Sequence, residues 1–516
     1  MSLLRSTGTV GSMTLLSRLL GFVRDVVIAR IFGAGPLTDA FFVAFKIPNF
    51  LRRLFAEGAF SQAFVPVLSE YRTRRDHAEV RGLVEAVSGT LGLILLVVTA
   101  IGVISAPLLV MLFAPGFIGD AERQELTTAM LRLTFPYLLF ISLTALAGGI
   151  LNSYGRFAVP AFTPVLLNLS LIGAALWLAP RMAEPITALA WGVFIAGAAQ
   201  LAFQLPFLAR LKLLTRPRWA WRDSGVQRII KLMLPAIFGS SVAQINLLFD
   251  TLIASFLVAG SVSWLYYADR LVEFPLGVFG IALATVLLPR LSREHATTDP
   301  RAFAASLDWG LRWVALIAVP ATLGLLLLSG PMLATLFQYG EFGAGDVAMA
   351  QLALMAYAIG LTGFILVKVL APGYFSRQDT RTPVRIAVIA MVANMGLNLL
   401  FVLPMVLLDI PGPHAGLALA TSVAAVLNAA LLWRGLRRDG VVQPGPGWGV
   451  LLLRIAVASA AMAALLGFAT GDLAHWLALD ALGRATRLLG WIVAAALVYF
   501  AVLTATGLQW RALRQP

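Results

Sequence analysis

Arg18, Arg24 and Asp25 interrupt a stretch that is otherwise apolar enough to lie in lipid. Each such charge at the centre of a membrane helix costs about 2.5–3.5 kcal/mol on insertion scales. It persists where it pairs with another charge, meets water or holds a polar ligand. At 100° per residue, Ser17, Arg18, Gly21, Arg24 and Asp25 share an arc of about 120°, opposite Leu15, Leu16, Leu19, Leu20, Phe22, Val23, Val26 and Val27. Two guanidinium groups against one carboxylate favour an anion, and their forked donors suit phosphate. Gly21, in the same arc, reads as room for a ligand between the two arginines.

A second polar stripe follows. Asp39, Lys46, Asn49, Arg53, Glu57 and Ser61 recur at helical spacing, with Arg52 more than a third of a turn off the line. Later in the chain Tyr266, Asp269, Arg270, Glu273 and Gly277 share an arc of about 100°. Asp250 and Lys368 add two more charges in apolar surroundings. A purely structural role would pair Arg24 with Asp39, Arg53 with Glu57 and Arg270 with Glu273. Three polar faces, two from the first half of the chain and one from the second, predict instead a hydrated cavity between the halves. Ser17, Arg18, Arg24, Asp25, Lys46, Asn49, Arg52, Arg53 and Arg270 are the expected substrate contacts. Asp39, Glu57, Asp269 and Glu273 are the expected gating ion pairs.

Covalent catalysis has little to work with. His77, His295, His414 and His475 fall in loops or at helix ends, and cysteine is absent. There is no phosphate-binding P-loop, no G-x-S-x-G and no D-x-D cluster. We therefore expect no enzyme, no cofactor and no metal.

The elements that position these residues follow from composition. The 516 residues are 59% hydrophobic and 12% charged, against about 45–50% and about 25% in soluble domains. Lipid must cover much of such a chain. Fourteen apolar segments approach the ~20 residues a spanning helix needs. They lie at 6–32, 37–70, 83–112, 127–151, 158–179, 186–209, 227–258, 263–291, 305–328, 347–373, 383–406, 413–436, 448–469 and 484–508. Pro48, Pro66, Pro235 and Pro275 are candidate kinks. The first segment is not expected to be a cleavable signal, since Arg18 breaks it and no small-residue cleavage site follows.

Basic residues concentrate in the even-numbered loops, as in Arg72, Arg74, Arg75 and Arg81 after the second segment, or Arg210, Lys212, Arg216, Arg218 and Arg222 after the sixth. Odd loops hold few, Arg123 and Arg181 among them; Arg484 and Arg487, at the far end of the thirteenth, fit least well. The positive-inside rule then puts both termini in the cytoplasm. The net charge of +14 is explained by topology and anionic lipid, not by nucleic acid.

Leu19–Gly35, LLGFVRDVVIARIFGAG, recurs as Gln244–Gly260, QINLLFDTLIASFLVAG, placing Asp25 on Asp250. Six segments, an even number, separate the copies' starts, so each copy enters from the same side and the halves are parallel repeats, an arrangement typical of transporters. The expected fold is an all-α polytopic membrane protein with fourteen transmembrane helices. It has two lobes, 1–215 and 216–440, plus two extra C-terminal helices in 441–516.

The runs MTLLSRLLGFVRDVVIARIFGAG, TDAFFVAFKIPNFLRRLFAEGAFSQAFVPVLSEY, SVSWLYYADRLVEFPLGVFGIAL and VKVLAPGYFSRQDTRTPVRIA closely resemble the MurJ/MviN family of lipid II flippases. The likeness spans nearly the whole chain and weakens after about residue 440. It implies a multidrug/oligosaccharidyl-lipid/polysaccharide exporter fold that moves undecaprenyl-pyrophosphate-linked disaccharide-pentapeptide across the bacterial inner membrane for peptidoglycan synthesis. The family's critical cationic positions match Arg18, Arg24, Arg52 and Arg270. The last two helices are implied to form a groove for the polyprenyl tail. Expected partners are lipid II, membrane lipid and the cell-wall synthesis machinery. An exporter of another polyprenyl-linked glycan is the nearest alternative; a polyprenyl-phosphate enzyme or a non-transporting scaffold would need acids at a leaflet surface or long exposed tails.

Overall fold

A computed structural model describes residues 3–54, 60–297 and 299–508, apart from the side chains of 3–9, 236, 238–240, 242 and 243. These residues form helices joined by short loops. Buried in hydrocarbon, a backbone must satisfy its own hydrogen bonds, which a helix does within one segment. Loop aspartates start several helices by accepting from the first free N–H groups. Asp76 receives the Glu79 amide, Asp120 that of Arg123, Asp299 those of Arg301 and Ala302, and Asp480 that of Gly483.

The chain folds into two compact units, Met1–Ser263 and Trp264–Pro516. The first contains α1 (Leu3–Phe32), α2 (Pro36–Arg52), α3 (Ser61–Arg74), α4 (His77–Ile104), α5 (Ala106–Phe113), α6 (Ala121–Thr134), α7 (Tyr137–Ser153), α8 (Ala158–Gly173), α9 (Thr187–Arg210) and α10 (Ser224–Ser255). Here α1 packs along α8, α2 along α6, and α9 along α7 and α8, while α10 joins α3, α4 and α5. Val226 and Ile229 of α10 enter a core built from Phe60, Phe64, Val84 and Ile150. By packing, α10 thus belongs with the first unit.

A helix α11 (Ser261–Pro275) begins as the first unit ends. The second unit continues through α12 (Ile281–Ala296), α13 (Pro300–Phe337), α14 (Ala344–Phe375), α15 (Arg381–Leu407), α16 (His414–Arg438), α17 (Trp448–Thr470), α18 (Leu473–Ala478) and α19 (Ala481–Ala505). There α14 packs between α13 and α16, and the α17–α19 pair leans on α13.

Among the described residues, each of the fourteen expected segments overlaps one or more helices. Eleven helices among the described residues are long and apolar enough to cross a membrane, and the chain is a multi-pass membrane protein. The segments at 6–32, 37–70 and 227–258 are not among those eleven; α1 carries Arg18, Arg24 and Asp25 within about two turns. The segment at 37–70 holds α2, which ends at Arg52, and α3, which starts at Ser61; between them Arg53, Leu54 and Phe60 lie in wide helical turns, and 55–59 are outside the described residues. Proline accounts for other breaks: Pro136, which lacks an amide hydrogen and disfavours helix before it, separates α6 from α7, and Pro275 precedes a wide helical turn at Leu276–Gly280.

Candidate functional site

The charged face of α1 is built as a hydrogen-bonded cluster. Arg24 donates to Asp25 Oδ1 through Nε at 2.9 Å and Nη2 at 2.7 Å. Its Nη1 donates to Asn168 Oδ1 on α8 at 3.1 Å, and Asn168 Nδ2 returns a bond to the Ser17 carbonyl at 2.9 Å. Arg24 is 8% exposed and Asp25 1%, so this is a buried pair whose charges depend on one another. Gly21 does not open a slot between arginines. A Cβ there would meet Asn168 of α8 at 3.6 Å, an ordinary contact, so this face of Gly21 lies against α8. Arg18, one and a half turns earlier, is exposed and makes no ion pair among the described residues.

On α2, Lys46 Nζ donates to Thr251 Oγ1 of α10 at 3.2 Å. Arg52 Nε donates to Asn49 Oδ1 at 2.7 Å, which fixes Arg52 beside Asn49 although it lies off the sequence stripe. Arg53 is half-buried in the wide helical turn that follows α2. Glu57 lies outside the described residues, and with it the expected Arg53–Glu57 pair.

Asp39 does not bind Arg24. Its carboxylate is 1% exposed and receives four donors. Arg123 Nη2 at 2.9 Å and the Gly260 amide at 2.7 Å share Oδ2, while the Ser263 amide at 2.8 Å and hydroxyl at 2.6 Å share Oδ1. Arg24 instead satisfies itself on its neighbour, because Asp25 is adjacent and Asp39 is held elsewhere. The Asp39 cluster ties α2 to the start of α6 and to the first turn of α11. Arg123 also lies over the Phe117 ring at 3.7 Å. Nearby the Gly116 amide donates to Ser255 Oγ at 3.0 Å. A Cβ on Gly116 would fall 2.2 Å from the Ser255 carbonyl oxygen, so only glycine permits that approach.

In the second unit Arg270 Nη1 donates to Glu273 Oε2 at 2.6 Å, as expected for residues three apart on a helix, and its guanidinium lies 4.8 Å from the Tyr266 ring centre. Both partners are partly exposed. Asp269, the residue before, is half-buried. Trp264 Nε1 donates to Asp346 Oδ1 at 2.9 Å.

Arg123, Asn168, Thr251, Gly260 and Ser263 escaped the sequence reading. Arg123 offered a signal, as a lone cation in a loop otherwise poor in them. Asn168 offered another, as an amide inside an apolar segment, where such groups bridge helices. The Gly260 and Ser263 contacts use mostly backbone amides, which no side-chain pattern reveals. What the arrangement offers chemically is a set of guanidinium groups held by polar partners on helices that would otherwise meet lipid.

Comparison with known proteins bears on this arrangement. The family model described as lipid II flippase MurJ matches residues 28–482. A probable lipid II flippase MurJ of Vibrio cholerae is 50% identical, covering 99% of this chain and 98% of that protein. The lipid II flippase MurJ of Burkholderia cenocepacia is 43% identical over 100% and 99%. Among solved structures, a lipid II flippase MurJ in an inward closed conformation superposes with a TM-score of 0.77 at 26% identity, covering 96% and 97%. An inward-facing multidrug transporter of the MATE family and MOP superfamily gives 0.67 at 14% identity over 84% and 98%, a likeness of fold alone.

Proposed function

This chain belongs to the MurJ family, and from that premise we propose that it is a lipid II flippase. It carries undecaprenyl-pyrophosphate-linked disaccharide-pentapeptide from the inner to the outer leaflet of a bacterial cytoplasmic membrane. The observation that carries the reading is the polar face of α1, where Arg18 stands exposed and Arg24 is held ready on Asp25 and Asn168.

A pyrophosphate cannot cross hydrocarbon unaided, since an isolated ion there faces a prohibitive desolvation barrier. Arg18 makes the first contact. Arg24 then exchanges its bond to Asp25 for one to the pyrophosphate, so that neither the guanidinium nor the ligand is left unpaired. Lys46, Asn49, Arg52 and Arg53 on α2 and Arg270 on α11 extend the cationic path. Alternating access supplies the movement: the charged faces open first to one side of the membrane, then to the other. The Asp39 cluster is the latch of the outer side, with Asp269 and Glu273 as further gating acids. No bond is made or broken in the cargo, so the protein acts as a transporter and not as an enzyme.

The loop charges support a topology with both termini in the cytoplasm. The repeat supports lobes at 1–215 and 216–440, with 441–516 following them and offering the polyprenyl tail a groove. Partners in cell-wall synthesis would receive the cargo outside.

The test is rescue of bacteria depleted of their own flippase, read as lipid II accessible at the outer surface. Restored exposure supports the assignment, and absent exposure with the protein correctly inserted defeats it. Restoration of a different polyprenyl-linked glycan in place of lipid II would select the alternative exporter.

A further inference from the structure

A pocket of about 450 Å³ opens where α17 ends, α18 crosses and α19 begins, lined by Thr470, His475, Trp476, Arg487, Gly490 and Trp491. None of these is acidic. Arg487 Nη1 rests against the His475 imidazole Nε2, so its charge is met by a ring nitrogen and not by a carboxylate. One turn earlier, on the same face of α19, buried Arg484 donates to the carbonyls of Ala334 at 3.0 Å, Gln338 at 3.3 Å and Leu477 at 2.8 Å. Its Nε has no hydrogen-bond partner among the described residues. Neither arginine is paired with a carboxylate among the described residues. Two guanidinium charges held by neutral groups favour an anion at the pocket, while the nearby carboxylates Asp472 and Asp480 sit at the starts of α18 and α19.

The walls suit a lipid. The Trp476 indole N–H is taken by the Thr470 carbonyl at 2.6 Å, while that of Trp491 makes no hydrogen bond among the described residues. Phe468 is 94% exposed and Leu482 71%, apolar side chains close in sequence to the pocket that membrane lipid would cover. Tryptophan and arginine together mark the depth of the headgroups. By the loop charges this is an outward end, where basic residues are ordinarily scarce, which argues that these two are kept for a purpose other than topology.

We propose that this pocket binds the phosphate of an anionic membrane lipid in the outer leaflet, with Arg487 and the Trp491 indole N–H as donors and Arg484 as the buried charge behind them. The leaflet rests on the topology proposed above; the recognition chemistry does not. A free phosphate ion shares that chemistry, and the experiment separates the two.

Native mass spectrometry of the purified full chain in detergent would count retained phosphatidylglycerol against phosphatidylcholine of the same acyl chains. The expected result is a single phosphatidylglycerol retained roughly fivefold better, the scale of one basic residue acting on an anionic headgroup. Arg487→Gln should abolish that preference. Gly490→Leu should do so by filling the pocket, and its backbone has room, since a Cβ there meets nothing within 4 Å. Arg438→Gln, which removes an equal charge at the far end of α16, should leave it intact. Equal retention of the two lipids, or an unchanged preference in both pocket variants, overturns the proposal. Displacement of phosphatidylglycerol by millimolar inorganic phosphate overturns the lipid assignment in favour of a soluble anion. No transport is measured, so the outcome is independent of the lipid II reading.

Discussion

Replacing Asp39 by Asn should open the outer side of the protein, and the structure allows the effect to be sized. All four partners of Asp39 are donors, from Arg123, Gly260 and Ser263, and they divide evenly between its two oxygens. An amide nitrogen in place of Oδ2 meets the Arg123 guanidinium and the Gly260 amide. In place of Oδ1 it can bond to the Ser263 hydroxyl turned as acceptor, but it still orphans the Ser263 amide. Either way Arg123 loses its countercharge while buried. Breaking such a pair costs about 3–5 kcal/mol. If the cluster forms only with the outer side shut, about 3 kcal/mol falls on that state alone. A population of ~1% open then rises to near one half.

The chain has no cysteine, so one introduced thiol reports cleanly. Ser261→Cys suits the purpose, because Ser261 is fully buried and its hydroxyl has no partner among the described residues. A membrane-impermeant thiol reagent should label this cysteine slowly in the Asp39 background and tens of times faster with Asp39→Asn, in line with the population shift. Arg123→Gln should accelerate it as well. Unchanged labelling in both variants, with the protein inserted at normal levels, would refute the latch.

Other outcomes follow from the same contacts. Arg24→Ala strands a buried carboxylate and should lower stability in detergent by about 3–5 kcal/mol; Asp25→Asn added to it should recover part of the loss, and strictly additive melting temperatures would contradict the pairing. Gly116→Ala drives a methyl into the Ser255 carbonyl and should cost about 1–3 kcal/mol, read as a lowered melting temperature, whereas Gly119→Ala, with nothing near its Cβ, should leave it unchanged. Asp379 receives the Thr382 amide at the start of α15, and that bond, with the Thr382 hydroxyl, holds its carboxyl below the usual value of 3.8. A depressed carboxyl stabilises the fold above its unfolded value and loses that contribution as pH falls through the folded one. Stability of native protein and Asp379→Ala should therefore differ at neutral pH and converge well below pH 3.8.

Much of the fold was legible because lipid imposes a coarse rule, that apolar length makes a helix, and the expected segments fall on helices for that reason. The interruptions were less legible. Pro136 and Pro275 were visible as residues, but whether a proline merely bends a helix or ends it depends on neighbours that fill the freed backbone groups. Within the site, Arg270 and Glu273 paired as read, since both lie on one helix and spacing alone sets their distance. Arg24 and Asp39 did not, because their pairing had to be guessed across helices. Asp39 found its four donors on α6 and at the start of α11, two of them backbone amides, and Arg24 found an asparagine on α8. Gly21 was misread for the same reason: its helix face was known, but not which helix lay against it.

The account stands on guanidinium groups that carry a pyrophosphate. Its most direct test is outer-surface lipid II in depleted cells that express Arg18→Ala, a variant of an exposed side chain that should insert and fold as native. Surface lipid II near the depleted baseline, with restoration by Arg18→Lys in part and by the native chain in full, is the predicted result. Native levels in Arg18→Ala, and again when Arg24→Ala is combined with it, would contradict the claim.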